Sequence, residues 1–195
     1  MSAPHVKRIE MSKFAGKVAF VTGAGSGIGR AMALAEGEAA VMCADINEQG
    51  AQATAARLEE MGARAGAIGL DAADSDAFRT GLDRAVSEMG RLDVLMNNAG
   101  IGSGHSWDDT LGVNLSGVHH GLRHGCAIMA KGGGGAIVNT ASIAGLNGLV
   151  RRIDYSDDLP ALEGVSAYVA AKHGVVGLTR QFALVSGKDG VRVNA

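Results

Sequence analysis

The 195-residue sequence predicts a single α/β domain built as an open, doubly wound parallel sheet with helices on both faces. Three observations carry this expectation. From residue 17 onward, short apolar runs alternate with longer helical patterns. The runs have strand length and lack sustained polar alternation, as strands covered on both faces do. Finally, 30 glycines accompany only 2 prolines, while 47% of the residues are hydrophobic. That combination excludes a collagen-like fibre and a disordered chain, and leaves a packed globule with many turns.

The elements follow in order. Residues 17–22, Lys-Val-Ala-Phe-Val-Thr, form the first expected strand, and a helix over 28–36 follows it. A second apolar run at 39–44 leads to a helix over 48–61, with Asn47 standing where an N-cap belongs and Gly62 where the helix should stop. A strand over 63–70 precedes a helix over 76–89, with Ser75 as the expected N-cap and Gly90 as the stop. Strands over 92–97 and 135–141 flank a helix over about 108–131, and a helix over about 166–186 leads to the start of a sixth strand at 191–194. The Gly132-Gly-Gly-Gly135 run is a helix-to-strand connection, too short for a domain linker. Right-handed crossovers then place ligand chemistry beyond the carboxyl ends of the strands, at the switch in strand order. The loops after the first, fourth and fifth strands are therefore where functional residues should lie.

Residues 1–13 have no apolar core of a signal peptide and read as a loose tail, leaving 14–195 as the folded domain. With 18 basic and 20 acidic residues the net charge is -2, which favours neither nucleic acid nor an anionic membrane as partner. No uncharged apolar window reaches the roughly 18 residues needed to span a bilayer. Cys43 and Cys126 each sit in an apolar stretch and fit reduced, buried thiols in a cytoplasmic protein.

After the first strand comes Thr22-Gly-Ala-Gly-Ser-Gly-Ile-Gly29. The spacing G-x-G-x-x-G is not met, because Ile28 stands where the third glycine would be. The spacing present is Gly23-x-x-x-Gly27-x-Gly29. Glycines there allow a tight turn and close approach of a pyrophosphate to the positive end of the next helix. Asp45, twenty-two residues after Gly23, can accept hydrogen bonds from an adenosine ribose and repels a 2′-phosphate, which favours NAD over NADP. Asp71, at the end of the third strand, can accept from an adenine amino group or simply form a turn.

These residues, together with Asn97-Asn-Ala-Gly100, Val113-Asn114, Thr140-Ala-Ser142 and Tyr168-Val-Ala-Ala-Lys172, resemble the short-chain dehydrogenases/reductases over about 16–195. The resemblance implies a Rossmann-like fold and NAD(P)-dependent oxidation of a secondary alcohol or reduction of a ketone. It further implies a catalytic set of Ser142, Tyr168, Lys172 and Asn114. Ser142 would hydrogen-bond the substrate oxygen, Lys172 would also hold the nicotinamide ribose, and Asn114 would organise a water leading to the lysine. The implied cofactor contacts are Gly23, Ser26, Gly27, Ile28, Gly29, Asp45, Ile46, Asp71, Ala72, Asn98, Ala99, Gly100, Tyr168 and Lys172. The 97–100 segment is expected chiefly to support the sheet and floor the cofactor.

Side-chain chemistry bears on Tyr168 as well, although a Tyr/Lys pair on one helix face can equally do no more than pack. A phenol ordinarily ionises near pH 10, and a lysine four residues on shares its helix face and favours the phenolate. Tyr155 stands at the more usual distance from Ser142, yet its fourth neighbour is Leu159 and its surroundings read as a polar loop. Residues 149–164 therefore read as an insertion near the substrate mouth. His119, His120 and His124 cluster on one helix, and His120 and His124 have a metal-ligand spacing, but no further ligand accompanies them. No metal is expected, and an interface role fits that helix better.

Three departures from the family pattern stand out. The 29–45 stretch is short around Glu36-Gly-Glu38, and so is the 100–114 stretch. The sequence stops at Ala195, where family members usually continue with a substrate-covering segment and a seventh strand, so the C-terminal part is expected to be missing. A homodimer or homotetramer acting on a small alcohol or ketone is the leading expectation. The alternative is a catalytically idle NAD-binding module that works through its surface. An epimerase or dehydratase on the same sheet fits the glycine spacing less well.

Overall fold

A computed structural model describes residues 14–35, 38–149 and 159–195. The expected tail at 1–13, the short turn at 36–37, and Tyr155 within 150–158 lie outside the described residues. Six parallel strands, β1 (Val18–Thr22), β2 (Ala40–Asp45), β3 (Ala65–Gly69), β4 (Val94–Asn97), β5 (Gly135–Asn139) and β6 (Val191–Asn194), form one sheet in the order β3-β2-β1-β4-β5-β6. The helices are α1 (Gly27–Ala35), α2 (Glu48–Glu60), α3 (Ser75–Met89), α4 (Trp107–Leu111), α5 (Gly117–Lys131) and α6 (Leu159–Ser186). Strand order reverses between β1 and its two neighbours β2 and β4, in the registers Val21↔Cys43 and Val21↔Met96. The crevice expected from the sequence opens there, beyond the strand ends.

Alternation along the strands divides the interior into two cores. Phe20, Met42, Leu95, Ile137 and Val193 face α3, α5 and α6, where they meet Phe78, Leu82, Leu122, Met129 and Val175. Ala19, Val21, Val41 and Cys43 face the other way, against Ala33, Ala51, Ala55 and Leu58 of α1 and α2. Burial on both faces explains why the strands read as unbroken apolar runs. Cys43 is fully buried, and desolvation pushes its thiol up to about 12; Cys126 is buried and shifted upward for the same reason.

Several local expectations shift. Asn47 caps α2, its side chain accepting from Gly50 N, and Gly90 ends α3 in a left-handed conformation at φ 95°. The α3 cap, however, is Asp74 rather than Ser75, because the Asp74 carboxylate accepts from both Asp76 N and Ala77 N. The single helix expected over 108–131 is interrupted by a π-helical turn at Gly112–Ser116. Helix α6 begins at Leu159, seven residues earlier than periodicity indicated, so the second part of the expected insertion is helical. Gly164 lets α6 press against the short 101–106 link, since a Cβ there would overlap the Ser103 carbonyl.

Candidate active site

The crevice at the switch point is a cleft of ≈ 780 Å³. The turn between β1 and α1 forms one wall, the ends of β2 and β3 a second, and the segments after β4 and β5 the floor. Every residue expected from sequence to form the site lines this cleft except Gly29 and Ser142. Gly29 sits behind the turn, where a Cβ would overlap the Gly23 carbonyl, so its contribution is to close packing. Gly27 has φ 50°, and no atom lies within 4 Å of where its Cβ would stand, so the approach to the first turn of α1 is open. That opening suits a pyrophosphate at a helix N-terminus, and the cleft extends from it to Asp45.

Asp45 also serves the turn itself. One carboxylate oxygen accepts from Gly25 N at 2.8 Å and the other from Asn47 N at 2.9 Å. Arg30 closes the same turn from the α1 side by donating to the Gly25 carbonyl and to Thr54 Oγ1. Ile28 and Ile46, 65% and 76% exposed, flank this part of the cleft as apolar surfaces. Asp71 forms a local turn, accepting from Ala73 N at 2.9 Å, while still lining the cleft.

The floor is stitched across three strands. Thr22 Oγ1 accepts from Asn98 N and Ala99 N, each at 3.0 Å, and Thr140 Oγ1 donates to Asn98 Oδ1 at 3.1 Å. Beneath it, Asn97 Nδ2 donates to Asn139 Oδ1, and Asn139 Nδ2 donates to Thr179 Oγ1. This buried chain fixes β4, β5 and α6 relative to one another.

Tyr168 and Lys172 reach the cleft from the same face of α6. The Lys172 ammonium lies 5.7 Å from the Tyr168 ring centroid and donates to the Thr140 carbonyl at 2.6 Å. Lys172 is only 5% exposed, and burial pulls its ammonium below the ordinary lysine range. Asn114 is fully buried in the π-helical turn. Its amide is engaged at both ends by Ile101, accepting from Ile101 N at 2.9 Å and donating to Ile101 O at 2.8 Å. Ser142 sits at the start of a short turn, its hydroxyl accepting from Ala144 N, and lines an adjoining pocket of ≈ 380 Å³ with Leu146, Thr179 and Arg180.

A family model described as short chain dehydrogenase matches residues 17–157. The chain belongs to the short-chain dehydrogenase/reductase family. A cyclohexanol dehydrogenase from Acinetobacter sp. strain SE19 is 38% identical over 97% of this chain and 75% of its own length. The human 15-hydroxyprostaglandin dehydrogenase [NAD(+)] is 40% identical over 92% of this chain and 66% of its own. Among solved structures, NAD+-bound xylitol dehydrogenase superposes with TM-score 0.83 at 31% identity, covering 94% of this chain and 70% of that one. Levodione reductase superposes with TM-score 0.82 at 34% identity, covering 93% and 70%. Members of this dehydrogenase/reductase family are oxidoreductases that use NAD(P), and the relatives matched here are named for alcohols and ketones.

Within this family member the structure brings further residues to the cleft that sequence reasoning did not assign, including Ile101, Ser103, Val113 and Leu149. Leu149 opens the expected insertion and so was within reach of the sequence. Ile101 and Ser103 depend on how the short link folds back, which no spacing encodes. The histidines face elsewhere: His120 contacts the Ala72 carbonyl and His124 the Ser75 hydroxyl, and both contacts dock α5 onto the start of α3. No helix among the described residues is long and apolar enough to cross a membrane.

Proposed function

We propose that this protein is an NAD-dependent oxidoreductase interconverting a secondary alcohol and a ketone. The observation that carries this reading is the placement of Tyr168 and Lys172 in the same cleft as the glycine turn and Asp45. The turn residues Gly23, Ser26 and Gly27 would hold the pyrophosphate, Asp45 the adenosine ribose, and Lys172 the nicotinamide ribose. A bound nicotinamide supplies hydride transfer to or from the substrate carbon. The Asp45 carboxylate favours NAD, since a 2′-phosphate brought to it would meet a like charge.

In the oxidation direction Tyr168 takes the hydroxyl proton of the alcohol while the C–H bond breaks with its electron pair. In reduction it returns that proton to the carbonyl oxygen. Lys172, on the same face of α6, sets its buried ammonium 5.7 Å from the Tyr168 ring centroid, beside the group that exchanges the proton. Ser142 would orient the substrate oxygen from the side of the adjoining pocket. Asn114 contributes by holding Ile101, which lines the cleft with Tyr168, in place. The direct test is a panel of secondary alcohols and ketones offered with each nicotinamide cofactor, followed by the absorbance of the reduced ring. Turnover with NAD supports the reading, and absence of turnover alongside intact NADH binding favours the idle module instead.

We infer that the protein assembles as a homodimer or homotetramer. Exposed Leu184 and Val185 on α6, at 81% and 47%, support an apolar contact there. Light scattering that returned a monomer mass would contradict it.

A further inference from the structure

We propose that Thr140 is a positioning residue for Lys172, and that its hydroxyl ties the lysine to the strand bearing the glycine turn. The inference rests on the reading of Lys172 as part of the active site. Any residue at 140 would present a backbone carbonyl, but this one is held from three directions. Its N–H donates to the Asn97 carbonyl at 2.9 Å, its hydroxyl donates to Asn98 Oδ1 at 3.1 Å, and its carbonyl receives the Lys172 ammonium at 2.6 Å. Asn98 is in turn fixed to β1, donating from its N–H to Thr22 Oγ1 and from its side chain to the Thr22 carbonyl. A continuous hydrogen-bonded path therefore runs from the residue preceding Gly23 to the ammonium of Lys172.

The path matters because, among the described residues, the Thr140 carbonyl is the one hydrogen-bond acceptor of the Lys172 ammonium. Among the described residues it takes part in no ion pair. The groups in contact with it are the Tyr168 ring from its own helix and the Thr140 carbonyl from the end of β5. Asp45 and Asp71 are the other charged residues lining the cleft, and neither pairs with the ammonium. A charge-assisted bond to a fixed carbonyl then sets both the depth of the ammonium and its ease of protonation. If the Thr140 hydroxyl is removed, the peptide group can rotate and the bond to Lys172 weakens, although the carbonyl remains.

The test uses the full chain labelled with carbon-13 at the lysine side chains, with the Lys172 signal assigned by its loss in Lys172→Arg. In Thr140→Val the Lys172 titration midpoint should fall by about one unit relative to wild type, the effect of one weakened hydrogen bond to a charged group. Thr140→Ser, which keeps the hydroxyl, should restore it. Where Thr140→Val does not fold by circular dichroism, Thr140→Ala removes the same hydroxyl with less bulk. An unchanged midpoint in the variant lacking the hydroxyl, or an equal fall in Thr140→Ser, overturns the proposal. Because this readout needs no turnover, it stands apart from the failure of the catalytic reading, which would instead show as full activity in Tyr168→Phe.

Discussion

The Asp45 carboxylate accepts a hydrogen bond from the Gly25 N–H at 2.8 Å, so the residue expected to choose between cofactors also holds the turn that would bind either one. Gly25 has no alternative, since a Cβ at that position would lie 2.8 Å from the carboxylate carbon. The two roles separate by mutation. Asp45→Asn keeps an acceptor for Gly25 and removes the charge, so NADPH binding should improve while NADH affinity changes little. Asp45→Ala frees the turn as well, and NADH affinity should fall by about tenfold, the worth of a hydrogen bond to a charged group. Fluorescence titration with both reduced cofactors measures this, and identical behaviour of the two variants would contradict the dual role.

The glycines of that turn are not equivalent. Gly29→Ala drives a methyl into the Gly23 carbonyl and should cost about 3 kcal/mol of stability. Gly27→Ala meets open space and only the left-handed backbone penalty at φ 50°, about 1 kcal/mol. Denaturant unfolding of the two variants should rank them in that order.

Asp93 anchors the opposite end of the sheet. Its carboxylate accepts from Val18 N at 2.9 Å and from Arg91 Nε and Nη2 at 2.7 Å each, with the Lys17 ammonium at 3.3 Å. Burial alone would raise its pKa, but the hydrogen bonds from Arg91, Val18 and Lys17, with the Arg91 charge, outweigh burial and hold the carboxyl below the usual range. A lowered folded pKa means that its contribution is present above the unfolded value near 4 and is lost as pH falls through the folded one. Wild type should exceed Asp93→Asn by about 1–2 kcal/mol at neutral pH, because both cationic partners are half exposed and screened. That gap should close below about pH 4. A gap independent of pH would assign it to packing instead.

Asn114→Ala removes both bonds to Ile101 and should cost about 2 kcal/mol. It should also lower turnover more than NADH affinity, because the Ile101 segment it releases lines the same cleft as Tyr168. Equal losses in both would place its effect on the cofactor end.

Most of this architecture was legible in the sequence because burial on both sheet faces leaves a plain mark: five of the six strands appear as apolar runs with Gly62 or Gly90 at helix ends. The motif residues Gly23, Asp45, Asn98, Tyr168 and Lys172 fell on strand ends and one helix face, so their convergence followed from the strand order. What stayed hidden depends on contacts across long sequence separations. Competition between Asp74 and Ser75 for the α3 cap turns on which side chain can reach two backbone donors, and propensity ranks the two alike. The π-helical turn arises where Asn114 must meet Ile101, a tertiary demand that periodicity does not record. Ser142 is adjacent to the cleft in sequence, yet its turn directs it into the neighbouring pocket. The link from Lys172 to Thr140 crosses 32 residues and carries no spacing signal.

On the proposed mechanism, Tyr168 exchanges the substrate proton in a cleft that binds the cofactor without it. Tyr168→Phe, assayed on whichever alcohol of the panel the wild type oxidises and titrated with NADH, tests this most directly. Turnover should fall by at least about a hundredfold while NADH affinity stays essentially that of wild type. Turnover equal to wild type would contradict the account.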